Sequence, residues 1–304
     1  MNMHQFRAFV AVVDQGSIRA AARYLHLSQS AITKAVQGLE EETGAALLIR
    51  RSRGVELTEA GQLLVTRARL ITRQAELARE ELRQAGGDDS GTLRVGINPF
   101  ISLTSLGGAF HWFRQRFQRV HVEFSDGLIV RVLPRLRDGT LDLAVVAADA
   151  GELQSEEFHV QRLRRIPQMV VVRSGHPLLA SPNAQGLVEH EWIFTRPLDE
   201  ERSKRLAAMF ARAGVQAPKR HLVCDALQAF SLQRRTDAVS LMPQPLLGNP
   251  ETRDIVPIKG TGLEPFDLEL AILSRGDVPL TPAAEYFAHC VVETIASGLA
   301  AASA

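Results

Sequence analysis

The chain has 304 residues, 45% of them hydrophobic and 23% charged, the mix of an ordinary globular protein. That excludes a disordered chain, a collagen and a disulfide scaffold, and at ~100–200 residues per domain it predicts two domains, at most three. Lys and Arg number 35 against 34 Asp and Glu, a net charge of +1, which excludes a uniformly basic, histone-like protein.

The charge is unevenly spread. The first 85 residues hold 12 basic and 9 acidic side chains, the remainder 23 and 25. The two cysteines, Cys224 and Cys290, are too far apart for a CxxC metal site. The N-terminal stretch has no apolar core or small-residue cleavage site of a leader peptide, and no uncharged stretch is long and apolar enough for a bilayer. The expectation is a cytoplasmic protein with reduced thiols and no membrane partner.

Along the chain, Phe6, Phe9, Val10 and Val13 recur at helical spacing and predict a first helix, stopped at Gln15 and Gly16. Ser17 is placed to cap a second helix, with Ile18, Ala21, Ala22 and Leu25 facing inward. After a short turn at His26 and Leu27, Ser28 caps a third. Its inner face is Ala31, Ile32, Ala35, Val36 and Leu39; Gln29, Ser30, Thr33, Lys34 and Gln37 lie opposite. Residues 47–57 read as a β-hairpin with 52–54 at its tip.

Thr58 caps a long helix over 58–84. Leu64, Ala68, Ile71, Ala75, Ala78 and Leu82 form a heptad seam along it. One helix cannot bury such a seam alone, so the seam predicts a partner chain, with packing on the chain's own second domain as the alternative. Gly86, Gly87 and Gly91 mark a hinge.

The pattern then changes to α/β. Strands are expected at 93–97, 120–124 and 141–147, with helices at 102–117 and 128–137 between them, an order that implies a parallel sheet. A second series follows: strands at 169–172, 192–195, 221–223 and 238–242, and helices near 201–213 and 225–234. A strand at 268–273 and a helix at 282–297 close the chain. These make two lobes, with crossings near 163–165 and 261–266.

Three short helices with a tight turn, then a hairpin, make a winged helix-turn-helix. The helix capped by Ser28 can offer Gln29, Ser30, Thr33 and Lys34 to base edges and phosphates. Arg50, Arg51 and Arg53 on the hairpin can lie along phosphates or reach a minor groove. For any one of these side chains, an ordinary solvated face is the alternative.

The order of Phe9, Gly16, Ser17, Ala21, Ala22, Leu25, Leu27, Ser28, Gln29, Ala31, Val36, Leu39, Glu40, Gly44, Leu47, Arg50, Arg53, Leu57, Thr58, Ala60 and Gly61 resembles LysR-type transcriptional regulators. Later residues fit as well: Leu93 to Gly96, Gly139, Leu141 to Leu143, and Gly175 to Leu178. The chain departs from the family's habit at Ser30, Thr33, Leu48 and Gly107. The resemblance implies a DNA-binding domain at 1–58 with its helix-turn-helix at about 18–37, a linker and dimerisation helix with hinge at 59–90, and an effector-binding domain at 91–304. Within that domain, lobe I spans about 91–163 and 266–304, lobe II about 164–265. The two α/β lobes are similar to periplasmic solute-binding proteins.

The resemblance further implies a homodimer, assembled as a dimer of dimers, on double-stranded DNA with an interrupted inverted repeat. It admits RNA polymerase as a partner and puts the protein at the nucleoid. A small anionic organic effector is expected between the lobes. Free N–H groups at strand ends and helix starts attract anions there. Asn98 and Ser102 are candidate donors, with Thr104 nearby and Phe100 able to wall an apolar ring; for Ser102, simple helix capping is the alternative. Thr195 and Arg196 could add a hydroxyl and a cation, and Ile129, Ala147 and Met242 shape. Cys224 reads as a structural thiol. No metal or cofactor is expected, because the nine His form no ligand cluster. Nucleophile elbows, GxGxxG and Walker patterns are missing, which argues against an enzyme. Three rival readings are a sensor with a vestigial DNA module, an enzyme with a fused helical domain and a nonspecific architectural DNA protein.

Overall fold

The computed structural model describes residues 1–51 and 54–302, side chains excepted at 50, 85 and 298–302. Arg53 therefore lies outside the described residues, as does the side chain of Arg50.

Three helices open the chain: α1 (Met3–Gln15), α2 (Ile18–Tyr24) and α3 (Gln29–Thr43). Ser17 Oγ accepts the Ala20 N–H and Ser28 Oγ the Ala31 N–H, as the sequence anticipates. Such caps contribute about 1 kcal/mol each. Gly16 and Gly44 end α1 and α3 in the left-handed region. The hairpin follows as β1 (Leu48–Arg51) and β2 (Gly54–Leu57). Glu40 holds it to α3, its Oε1 accepting the Leu47 and Leu48 N–H at 2.8 and 3.2 Å. Val55 N–H donates to Gly16 O at 3.1 Å. Phe9, Ile32, Leu39 and Leu47 make the centre of this module's core.

Helix α4 (Glu59–Ala85) belongs to two modules at once. Its first half supplies Val65 and Ala68 to the N-terminal core, with Leu64 packed against it. This corrects the seam: Ala68 is fully buried in its own chain, and Leu64 is half-buried there, because both face α1. Ile71, Ala78 and Leu82 are exposed and Ala75 half-buried. The second half of α4 lies on lobe I. Arg73 reaches Asp142 Oδ1 from Nη2 at 2.7 Å and donates to Thr92 O at 3.2 Å. Asp142 Oδ2 accepts the Arg94 N–H. Glu80 stands 3.6 Å from Arg73; burial pushes its carboxyl up, against the pull of Arg73.

Lobe I contains β3 (Gly91–Ile97), α5 (Pro99–Thr104), α6 (Leu106–Arg116), β4 (Val120–Asp126), α7 (Ile129–Arg137), β5 (Leu143–Ala148) and β6 (Phe158–Ile166). Lobe II contains β7 (Gln168–Arg173), α8 (Ala184–Glu189), β8 (Trp192–Phe194), α9 (Glu200–Arg212), β9 (His221–Val223), α10 (Ala226–Gln233), β10 (Val239–Pro243) and β11 (Ile255–Pro257). The chain returns to lobe I with β12 (Leu268–Arg275) and α11 (Pro282–Ala302). The sheets run β4-β3-β5-β12-β6 and β11-β7-β10-β8-β9.

The parallel expectation holds where βαβ units exist, at β3–β4, β3–β5, β8–β9 and β8–β10. Strands that arrive by crossing between lobes run antiparallel: β12 against β5 and β6, and β7 against β10. The first crossing falls at Pro167, not at 163–165, which lie inside β6. The helix expected at 102–117 is two helices broken at Ser105. Pro99 starts the first and Asn98 caps it.

Replacing Arg73 by Met is expected to cost about 3–5 kcal/mol, because Asp142 and Glu80 would remain buried without their cation. A lower denaturant midpoint measures it.

Candidate functional site

Two surfaces carry chemistry. On the N-terminal module, Ser28, Gln29, Ser30 and Lys34 are exposed and Thr33 is half-buried, all on the outer side of α3. Ser28 Oγ lies 2.9 Å from Ser30 Oγ, so these two hydroxyls satisfy each other and the cap. Gln29, Thr33 and Lys34 make no side-chain hydrogen bond among the described residues. Arg51 on the wing pairs with Glu56 at 3.1 Å, which offsets part of its charge. Tyr24, 64% exposed just before the turn, is a further polar-tipped group that local spacing does not single out.

The second surface is the cleft between the lobes. Its closed part is a cavity of about 100 Å³. Six of the anticipated residues meet there: Asn98, Phe100, Ala147, Thr195, Arg196 and Met242. Three do not. Ser102 sits inside α5, its hydroxyl 3.4 Å from Asn98 O, and faces a more open groove beside the cavity. Because Asn98 takes the cap, Ser102 does not cap its helix either. Thr104 is exposed on the same short helix and donates to Phe100 O. Ile129 is 3% exposed in the lobe I core, with Val132 and Leu136. For Ser102 and Thr104 the cause is the helix start at Pro99, which sets the face over the cleft three residues earlier than a start at Ser102 implies. Ile129 is turned inward because it opens the apolar face of α7.

The cavity also contains groups from positions distant in sequence. Gln168 lies at the first crossing and donates to Phe266 O at the second. Gln233 Nε2 donates to Val171 O, and Ser240 Oγ to Gln233 Oε1, which leaves that pair satisfied internally. Arg202, on the first turns of α9, is 5% exposed. Burial and then the neighbouring charge of Arg196 push its guanidinium down to about 10, still cationic at neutral pH. Burial pushes the Asp149 carboxyl up, opposed by Arg205 and Arg196. Apolar walls come from Phe100, Leu128, Ile193, Phe230 and Leu268. Cys224 is half-buried beside Ile193 and Ala229. Burial and then Asp225 push its thiol up, the opposite of activation. No group of His, Cys, Asp and Glu among the described residues could hold a metal ion.

Residues 3–62 match the family model of the bacterial regulatory helix-turn-helix protein, lysR family, and residues 86–296 match the LysR substrate binding domain. The chain belongs to the LysR family. Among curated relatives, the HTH-type transcriptional regulator TdcA of Escherichia coli is 29% identical over 185 residues, 61% of this chain and 59% of that protein. The chain thus spans less than two thirds of that relative's length. The regulator TfdS of Cupriavidus pinatubonensis is 28% identical over 247 residues, 80% and 82% of the two chains. Among solved structures, the LysR family transcriptional regulator CbnR has a TM-score of 0.66 at 22% identity, covering 97% of this chain and 99% of that one. Full-length OxyR from Pseudomonas aeruginosa has a TM-score of 0.69 at 20% identity, covering 97% and 94%. At these identities the structures establish the shared fold. The LysR relatives are transcriptional regulators, not enzymes. No helix among the described residues is long and apolar enough to cross a membrane.

Lys34→Ala is expected to leave the thermal unfolding profile unchanged, because the side chain is exposed, and to weaken binding to mixed-sequence duplex DNA. The slope of log affinity against log salt should fall by about 1.

Proposed function

We propose that the protein is a sequence-specific DNA-binding regulator whose binding or bending of DNA is modulated by a small anionic organic effector held between the lobes. The observation that carries this is the outer face of α3, capped by Ser28 and without side-chain hydrogen bonds at Gln29, Thr33 and Lys34 among the described residues, with a wing fixed beside it through Glu40 and Gly16. A helix so presented can enter a major groove, while wing arginines meet phosphates. The anionic character of the effector is supported by Arg196 and Arg202 in the cleft wall.

The exposed part of α4 supports a homodimer. Ile71 is 42% and Leu82 76% exposed, with Ala75 and Ala78 between them at heptad spacing. Two-fold pairing through that surface would give an inverted-repeat operator. A dimer of dimers through the lobes, action at the nucleoid and contact with RNA polymerase complete this reading.

Selection of bound sequences from a random duplex library, at a fixed salt concentration, tests the function. An interrupted palindrome is the expected product; a pool no different from the input would overturn the proposal. For the dimer, Ile71→Glu should shift the sedimentation profile to a slower species. An unchanged profile would remove Ile71 from the interface.

A further inference from the structure

Five charged groups from both lobes cluster beside the cavity, and two of them, Arg196 and Arg202, line it. Asp149 and Glu152 follow β5 in lobe I; Arg196 follows β8, and Arg202 and Arg205 lie on α9 in lobe II. Both carboxylate oxygens of Glu152 accept from Arg196 Nη2. Arg205 Nη1 stands 2.8 Å from Asp149 Oδ1, and Arg202 Nη1 is 3.8 Å from Asp149 Oδ2. Asp199, the N-cap of α9, adds its carboxylate beside Arg202, so three cations meet three carboxylates.

Arg196 and Arg202 are 7% and 5% exposed, and both line the cavity. Arg196 Nη1 and Arg202 Nε and Nη1 have no hydrogen-bond partner among the described residues. A purely structural bridge between lobes would be expected to satisfy its own donors, since buried donors left unpaired are costly. Here the free N–H groups of Arg196 and Arg202 sit at the cavity wall, which Asp126 and Asp225 also line. A planar guanidinium fork matches a carboxylate. Phe100, Ile193 and Phe230 offer apolar contact to the rest of such a molecule. Glu152, with 21% of its side chain exposed, is the more exposed of the two carboxylates paired to arginines across the lobes, and its Oε2 also accepts the Asp149 N–H at 2.8 Å.

We propose that Arg196 and Arg202 form a carboxylate receptor, occupied here by the chain's own Glu152, and that the effector is a small organic carboxylate with an apolar body whose acid group displaces Glu152. The inference rests on the regulator reading for the word effector, though not for the binding itself. Glu152 belongs to lobe I and Arg196 to lobe II, so the exchange trades a contact between lobes for a contact with ligand. The ligand thereby gains different affinities for the bridged and unbridged arrangements, which any shift between them requires.

Chemical rescue tests this on the full-length protein. Acetate is the probe, because it fits a cavity of about 100 Å³, and acetamide is its uncharged control; ionic strength is held constant with sodium chloride. Glu152→Ala and the isosteric Glu152→Gln should both melt below the wild type. Acetate should raise their melting temperatures saturably, by about 2–4 °C. Acetamide should not, the wild type should gain less, and adding Arg196→Gln should abolish the gain. If Glu152→Ala does not fold, Glu152→Gln carries the test. A response to acetate no larger than that to acetamide, or one that survives Arg196→Gln, would overturn the receptor. Operator selection on the same preparations separates the two readings. An operator without rescue removes the receptor and leaves the regulator; rescue without an operator does the reverse.

Discussion

Arg73, almost wholly buried between α4 and lobe I, ties the helix-turn-helix module to the ligand-binding module. Its guanidinium bonds Asp142, whose second oxygen holds the Arg94 N–H at the start of the lobe I sheet. Taking such charges out of water is expensive and is tolerated only where every partner is in place. The pair therefore fixes where along α4 the lobe can sit. Arg69, one turn earlier, pairs with both Asp14 of α1 and Asp138 after α7. Gln84, near the other end, accepts the Ala283 N–H of α11. The glycines at 86–91 read as a flexible link in sequence, yet α4, which ends before them, is held to the lobe at Arg73 and Gln84.

This docking gives a mechanical reading of the family's architecture. Helix α7 begins beside the cleft, where Asp126 and Leu128 line the cavity, and ends at Asp138 against Arg69. A change at the cleft mouth is therefore one short helix away from a contact with α1. The cleft itself is bounded by charges of both lobes, so the contact between the lobes is electrostatic as well as apolar. In a low-dielectric wall these interactions are stronger than on the surface, and an unpaired donor is correspondingly costly.

Much of the fold is legible in the residues. The Ser17 and Ser28 caps, the glycine stops at 16 and 44, the hairpin and most α/β strands follow from local spacing and turn chemistry. Strand β6 is not legible, because its inward Phe158, Val160, Leu163 and Ile166 are interleaved with arginines on an edge strand and broken in phase near a bulge at Leu270/Ala271. The helix break at Ser105 is also hidden, since Gly107 and Gly108 fall inside α6 rather than at the break. At the cleft, residues directly following strands are readable: Asn98, Thr195 and Arg196. Arg202, Gln168 and Gln233 are not, because they come from a helix turn, a crossing and a helix end that only the chain's return path brings together.

The sequence by itself determined the order of modules, the caps of α2, α3 and α4, the outward face of α3 and the family. These depend on contacts a few residues apart and on side-chain chemistry that spacing reveals. Tertiary structure alone decided which face of α4 is spent inside the chain and which is left free. It also decided that Glu152 meets Arg196 across the lobes with Arg202 beside them. Those outcomes turn on burial between segments distant in sequence, where the balance of desolvation and pairing is set by geometry that no local pattern encodes.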